Sequence, residues 1–103
     1  MVVITSKYIK PSEVIDTLAV EHRKFLDDCY KKAQFICSGP QIPRVGGVLI
    51  ANVATIDEAK EIMKNDPSME LLNINLLNFH PLNMMNGFHV LSNRIQQKSK
   101  SQL

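Results

Sequence analysis

What the sequence lacks excludes several classes of protein. It has no apolar run near the roughly 20 residues that cross a bilayer. Residues 1–10 carry neither the basic start nor the long apolar stretch of a secretory leader. We therefore expect a protein of the cytoplasm with no membrane partner.

An excess of charge of one sign is also absent. The formal net charge is +2, but three of the twelve cations lie after residue 93, which leaves nine cations against ten anions before it. A nucleic-acid groove needs Lys and Arg clustered on one face, whereas these cations are interleaved with Asp and Glu. We predict no nucleic-acid partner.

Motifs for metal or phosphate binding are missing as well. The two cysteines, Cys29 and Cys37, match neither a CxxC redox pair nor a four-ligand zinc site, and we interpret both as small buried hydrophobes. His80 and His89 have no carboxylate or cysteine at ligand spacing, so no metal site is predicted. Gly46-Gly47 lacks the lysine and spacing of a phosphate-binding loop and is more typical of a turn.

What the sequence does contain is typical of one globular domain. Apolar residues make up 45% and charged residues 21% of a chain of 103 residues, which is enough for one hydrophobic core and too short for two. After residue 82 the composition shifts to Asn, Met, Ser, Gln and Lys. We predict one domain over residues 1–82 and a partly disordered C-terminal extension over residues 83–103.

Hydrophobic periodicity predicts four strands and two helices. β-Branched and alternating segments, separated by Pro and Gly, predict strands over residues 2–9, 35–38, 46–53 and 71–79. An apolar stripe predicts a first helix that begins at Ser12, as its cap, or near Thr17. The second helix begins with the capping box Thr55-Ile56-Asp57-Glu58 and ends before Asp66-Pro67.

The order of these elements predicts an α+β, ferredoxin-like fold, in which two helices cover one face of a four-stranded antiparallel sheet. The third and fourth strands are apolar on both faces, so the helices would leave one apolar face exposed to solvent. We expect a second copy of the chain to cover that face in a homodimer. The alternative is that residues 84–95 fold back over the sheet.

His22 is the first candidate for chemistry, because it interrupts the apolar stripe of the first helix. Histidine ordinarily changes charge near neutral pH and can move a proton as a general acid or base. The simpler interpretation is a hydrogen-bonded histidine at the edge of the core.

Asp66 is the carboxylate that could fix the tautomer of such a histidine. Asp27 and Asp28 are followed by lysines at helical spacing and therefore belong to a solvated face. Asp66 can equally be a turn residue before proline. A first helix that begins at Ser12 would separate the two groups by ~15 Å along its axis, and a later start would shorten that gap.

Four features in this order resemble the YciI-like, or YCII-related domain, family. They are a helical His22, the segment FICSGPQIPRVGGVLIANV at residues 35–53, the tripeptide Asn65-Asp66-Pro67 after a helix, and a hydrophobic closing strand. The resemblance runs from about residue 2 to residue 82. Two departures are Ser68-Met69, where many members have an aromatic residue after Asp-Pro, and the longer tail.

The resemblance implies a dimeric α/β barrel with a pocket between helices and sheet, similar in architecture to muconolactone isomerases. It implies that His22 and Asp66 are an active-site pair and that Ser38, Gly39 and Pro40 lie near the pocket. Most members have no known activity, and at least one resembles a dehydrochlorinase.

Two functions of different class follow. The leading hypothesis is an isomerase or lyase without a cofactor, in which His22 moves a proton on a small organic acid or cyclic substrate and Asp66 orients it. The alternative is a non-catalytic module that binds a metabolite or a protein through the same pocket. A haem-degrading or quinol monooxygenase of related architecture would need a pocket that admits a large aromatic ligand.

Overall fold

Four strands and three helices follow one another along residues 1–85, the part of the chain that the computed structural model describes. The strands are β1 (Val2–Tyr8), β2 (Phe35–Pro40), β3 (Gly47–Ala51) and β4 (Leu72–Asn78). The helices are α1 (Ser12–Asp16), α2 (Ala19–Lys31) and α3 (Ile56–Met63), and a single 3₁₀ turn spans Met69–Leu71. The described residues contain no helix long and apolar enough to cross a membrane.

The sheet has the order β2-β3-β1-β4, and each neighbouring pair is antiparallel. Val2 lies opposite Ala51 on one side and Asn78 on the other, which gives the register of the central strand β1 against β3 and β4. The chain thus has the predicted ferredoxin-like arrangement of strand, helix, strand, strand, helix, strand.

The helices cover one face of the sheet and form the core there. Val2 and Ile4 of β1, Phe25 of α2 and Met63 of α3 are all at least nine-tenths buried. The Phe25 and Phe35 rings meet edge to face, with centroids 5.9 Å apart, a geometry that aromatic pairs favour. Burying side chains of this size stabilises the fold by roughly 1.5–3 kcal/mol each.

The outer face of the sheet is only partly as apolar as predicted. Val48 of β3 is exposed on this face, where it pairs with Thr5 of β1. Leu77 of β4 is also exposed there, where it pairs with Val3 of β1. On β4, however, the outer positions before Leu77 are Asn73 and Asn75, because the alternation places the other large residues of this strand on the helix side. The prediction that β4 is apolar on both faces is therefore wrong over most of its length.

The predicted first helix is in fact two helices, and Ser12 is not its cap. Pro11 occupies the N-cap position of α1, without a side-chain hydrogen bond. The Thr17 hydroxyl donates to the carbonyl of Val14 at 2.6 Å, and Leu18 has non-helical backbone angles. Since a Thr side chain that bonds its own backbone competes with helix continuation, α2 begins anew at Ala19.

Two further predictions have a structural outcome. The hydroxyl of Thr55 accepts a hydrogen bond from the Glu58 amide at 3.1 Å, which confirms the cap of the second predicted helix. Cys29 is buried as predicted, but Cys37 is exposed, because it pairs with Ile50 on the outer face of the sheet. The boundary at residue 82 stays a prediction, and residues 86–103, with His89 and most of the segment 84–95, lie outside the described residues.

Candidate active site

His22 and Asp66 meet at the start of α2, although 44 residues separate them in the sequence. Nδ1 of His22 lies 3.1 Å from Oδ1 of Asp66. The side chain of Asp66 is 1% exposed, whereas that of His22 is 38% exposed. The pair therefore joins a buried carboxylate to an imidazole that solvent can reach.

Local structure explains how the two groups meet. His22 lies in the first turn of α2, where its amide donates to Leu18 at 2.9 Å. Asp66 follows the last turn of α3, and its amide donates to the carbonyl of Met63 at 3.0 Å. Because the chain breaks between α1 and α2, His22 lies within one turn of the start of α2. A continuous helix from Ser12 would have placed His22 farther from Asp66.

Ser68 holds the carboxylate of Asp66 in place. Oδ1 accepts hydrogen bonds from the Ser68 amide at 2.9 Å and from the Ser68 hydroxyl at 2.7 Å. This turn, in which an Asp side chain binds the backbone two residues later, is a common local structure of Asp. The other oxygen, Oδ2, is buried and makes no hydrogen bond to the described residues, so Oδ1 alone offsets the cost of burial.

The hydrogen bonds keep Asp66 ionised. Burial is the largest single effect on the Asp66 carboxyl and would by itself raise its pKa. The bonds from His22 and from the amide and hydroxyl of Ser68 together outweigh burial, and the net pKa of Asp66 is lowered. An ionised carboxylate only accepts hydrogen bonds, so Nδ1 of His22 must carry a proton. Nε2 is then the nitrogen that can accept one from a ligand.

A cavity of about 360 Å³ opens beside His22. It lies between the sheet and the helices α1 and α2, and its volume is at the lower end of the range for small-molecule sites. Its walls combine aliphatic and aromatic side chains with a few polar ones. The lining residues include Tyr8, Asp16, His22, Arg23, Gly39, Pro40, Arg44 and Ser68.

The structure brings four of the five predicted site residues to this region. Gly39 and Pro40 line the cavity with His22, and Asp66 lines a smaller adjoining cavity of about 60 Å³ together with His22. Ser38 does not line either cavity, and its hydroxyl lies 2.7 Å from that of Tyr30 of α2.

A second, larger cavity lies elsewhere. It measures about 530 Å³ between α2 and α3 but contains neither His22 nor Asp66. Its charged lining residues are two anions, Glu21 and Asp28, and two cations, Lys24 and Lys32, which is typical of a solvated groove. Within residues 1–85 no group of three or more His, Cys, Asp or Glu side chains could hold a metal ion.

Sequence reasoning missed several residues of the cavity. Ser68 had a recognisable signal, since it follows Asp66 at the spacing of an Asp turn. Arg44 and Asp16 had none, because Arg44 lies in the irregular connection between β2 and β3. Their contact, Nη2 of Arg44 to Oδ1 of Asp16 at 2.6 Å, depends on the path of that connection.

Comparison with known proteins agrees with this description. A family model described as the YCII-related domain matches residues 1–74. Among curated proteins none matches the chain. A solved structure of 5-chloro-2-hydroxyhydroquinone dehydrochlorinase from Burkholderia phenoliruptrix AC1100, in complex with 2,5-dihydroxybenzoquinone, superposes with a TM-score of 0.60 at 19% identity. The match covers 86% of this chain and 98% of that one, and at this identity it shows a shared fold.

Proposed function

The chain belongs to the YCII-related domain family, and from this premise we propose that it is an enzyme that converts a small molecule by proton transfer. His22 is the general acid or base, and Asp66 is its positioning residue. The reaction is of the isomerase or lyase type, and the substrate is a small organic acid or a cyclic compound. Gly39 and Pro40 form part of the substrate-facing wall.

The observation that carries the proposal is the contact between His22 and the buried, ionised Asp66 at the edge of a cavity. A carboxylate on one imidazole nitrogen fixes the ring and its tautomer and stabilises the cation that forms when the other nitrogen takes a proton. This division of roles explains why only one partner is buried.

The proposed step is a proton transfer at Nε2. Nε2 takes a proton from a carbon next to a carbonyl group, and the electron pair of the broken C–H bond moves toward the carbonyl to give an enolate. In an isomerisation the imidazolium returns this proton to another atom of the substrate. In an elimination the electron pair expels a leaving group as an anion, and the imidazolium loses the proton to water.

The structural neighbour supports this class of reaction. The activity of that protein, dehydrochlorination, removes a proton and a chloride, and the ligand in its structure is a single six-membered ring. A cavity of about 360 Å³ suits one such ring better than a ligand of the size of haem.

The test replaces His22 by Gln, which removes the base and keeps a polar side chain. Wild-type protein and variants are incubated with a panel of hydroxylated and chlorinated hydroquinones and cyclic ketones in D₂O. Chloride release and deuterium incorporation are then measured. We expect His22→Gln to abolish turnover and Asp66→Asn to reduce it by about two orders of magnitude or more.

The control is Glu61→Gln, which removes a carboxylate from an exposed ion pair with Lys64 and should leave turnover unchanged. Full activity in His22→Gln would refute the proposal. Binding of panel compounds without any turnover in the wild-type protein would favour the non-catalytic binding module instead.

We also propose that the chain forms a homodimer through the outer face of the sheet. Val48 is 38% and Leu77 66% exposed on that face, and Val3 and Ile50 lie between them in the register. Such a cluster favours contact with a second copy.

Leu77→Asp should dissociate the dimer in sedimentation equilibrium at micromolar protein, while Ile42→Asp, at a 98% exposed loop residue, should not. A wild-type protein with the mass of one chain would refute the dimer.

A further inference from the structure

We propose that Arg44 binds an anionic group of the substrate, so that the cavity beside His22 selects organic anions, such as carboxylates and ionised hydroxyquinones, over neutral rings. This inference rests on the proposed function, because it assigns the substrate class of the same site. It adds a specificity-determining residue from the connection between β2 and β3.

Arg44 is held at the cavity from two sides. Its guanidinium lies over the ring of Tyr8, with Cζ 5.5 Å from the ring centroid. Its Nη2 donates to Oδ1 of Asp16, the last residue of α1, at 2.6 Å. All three residues line the same cavity as His22. An aromatic face under a guanidinium is a favourable cation–π contact, and it orients the planar donor group before a ligand arrives.

The guanidinium of Arg44 has N–H groups that do not bind Asp16. Arginine carries five N–H groups in a planar fork that matches a carboxylate or a similar pair of oxygens. Asp16 accepts from one nitrogen of Arg44, Nη2. The side chains of Arg44 and Asp16 are 46% and 55% exposed, and an exposed ion pair of this kind contributes little to stability. A ligand anion can therefore share or replace Asp16 at small cost.

The charge around the cavity favours an anion. Asp16 is the one carboxylate among the described residues that line it, and Arg44 already neutralises that charge. Arg23 adds a second cation to the wall. The cavity between α2 and α3 differs, because its two anions balance its two cations. The cavity with His22 thus presents an excess of positive charge to a ligand, whereas the cavity between α2 and α3 does not.

The competing explanation is that Arg44 and Asp16 only tie the β2–β3 connection to α1. The two explanations predict opposite effects of Asp16. If Asp16 competes with a ligand for Arg44, then Asp16→Asn should tighten the binding of an anion. If the pair is only structural, then Asp16→Asn and Arg44→Gln should weaken binding alike.

The probe is 2,5-dihydroxybenzoquinone, whose hydroxyls ionise at neutral pH, and its matched neutral control is 2,5-dimethoxybenzoquinone. Both are titrated calorimetrically into the full chain, and mass spectrometry checks that the exposed thiol of Cys37 has not reacted with the ring. We expect Arg44→Gln to weaken binding of the anion about tenfold or more and to leave the neutral ether unchanged. Arg44→Lys should bind the anion with intermediate affinity, and Asp16→Asn should bind it a few times more tightly.

Lys64→Gln is the control for the loss of one cation, because it breaks an exposed pair of the same length away from the cavity. The inference is overturned if Arg44→Gln affects both probes alike, if Asp16→Asn weakens the anion as much as Arg44→Gln does, or if wild-type protein does not bind the anion. Failure of the proposed function looks different, since His22→Gln would then retain turnover whatever happens to binding in Arg44→Gln.

Discussion

Two side-chain pairs lie at or beside the cavity that His22 lines, and they differ in burial far more than in distance. Arg44 and Asp16 approach to 2.6 Å with both side chains about half exposed, whereas His22 and Asp66 are 3.1 Å apart with Asp66 almost fully buried. Water screens the first pair and competes for its donors. The carboxylate of the second pair is 1% exposed and accepts three hydrogen bonds from His22 and Ser68, so we expect folding to depend more on the longer contact.

This difference agrees with the separate roles that we propose for the two pairs. A buried carboxylate with three donors on one oxygen cannot easily exchange partners, which suits a group that fixes the orientation of His22. An exposed pair with spare donors exchanges partners readily, which suits a group that receives a ligand. The predictions below test this division, beginning with the largest expected effect.

Removal of the two carboxylates should have very different consequences for stability. Asp66→Ala leaves the buried amide and hydroxyl of Ser68 without their acceptor, and we expect the free energy of unfolding to fall by about 2 kcal/mol. Asp16→Ala should leave it unchanged within the scatter of the measurement. Urea denaturation followed by circular dichroism measures both. Equal losses of unfolding free energy in Asp66→Ala and Asp16→Ala would contradict the view that burial distinguishes the two pairs.

Acid should remove the contribution of Asp66 in a defined range. The pKa of Asp66 is lower in the folded chain than its ordinary value of 3.8, so the unfolded chain binds the proton more readily. The stabilisation is complete above that value and is lost as the pH falls through the lowered folded value. Wild-type protein should therefore be more stable than Asp66→Asn at neutral pH, and the gap should narrow below about 3.8. A gap that stays constant down to strong acid would contradict the ionised state of Asp66.

Ser68→Ala should show that the serine acts through Asp66. The substitution removes the hydroxyl donor and leaves the amide donor to Oδ1, so we expect a loss of about 1 kcal/mol. The pKa of Asp66 should rise toward its ordinary value, and the acid transition should shift to higher pH. Ser68→Thr, which keeps a hydroxyl, should restore much of the shift. A loss of stability with no change in the acid transition would indicate a packing role only.

The sequence was informative about periodic elements and about candidate residues, and much less about contacts. The capping box at Thr55 and the alternating strands follow from local rules, so the ferredoxin-like order was predictable. His22 and Asp66 were recognisable as candidates, but their contact depends on the break at Thr17, whose hydroxyl donates to the carbonyl of Val14. The partner of Arg44 was not predictable, because no periodic pattern determines the path of an irregular connection.

The smallest expected effect is that of salt, and it compares the two pairs directly. At an ionic strength of about 1 M the screening length falls to about 3 Å, so exposed charges interact weakly while buried ones are screened much less. Binding of 2,5-dihydroxybenzoquinone should weaken a few-fold between low salt and this concentration, and most of that dependence should disappear in Arg44→Gln. The stability gap between wild-type protein and Asp66→Asn, measured in the same buffers, should change little. If the gap shrinks with salt as much as ligand binding does, then water reaches Asp66, and burial does not separate the two pairs.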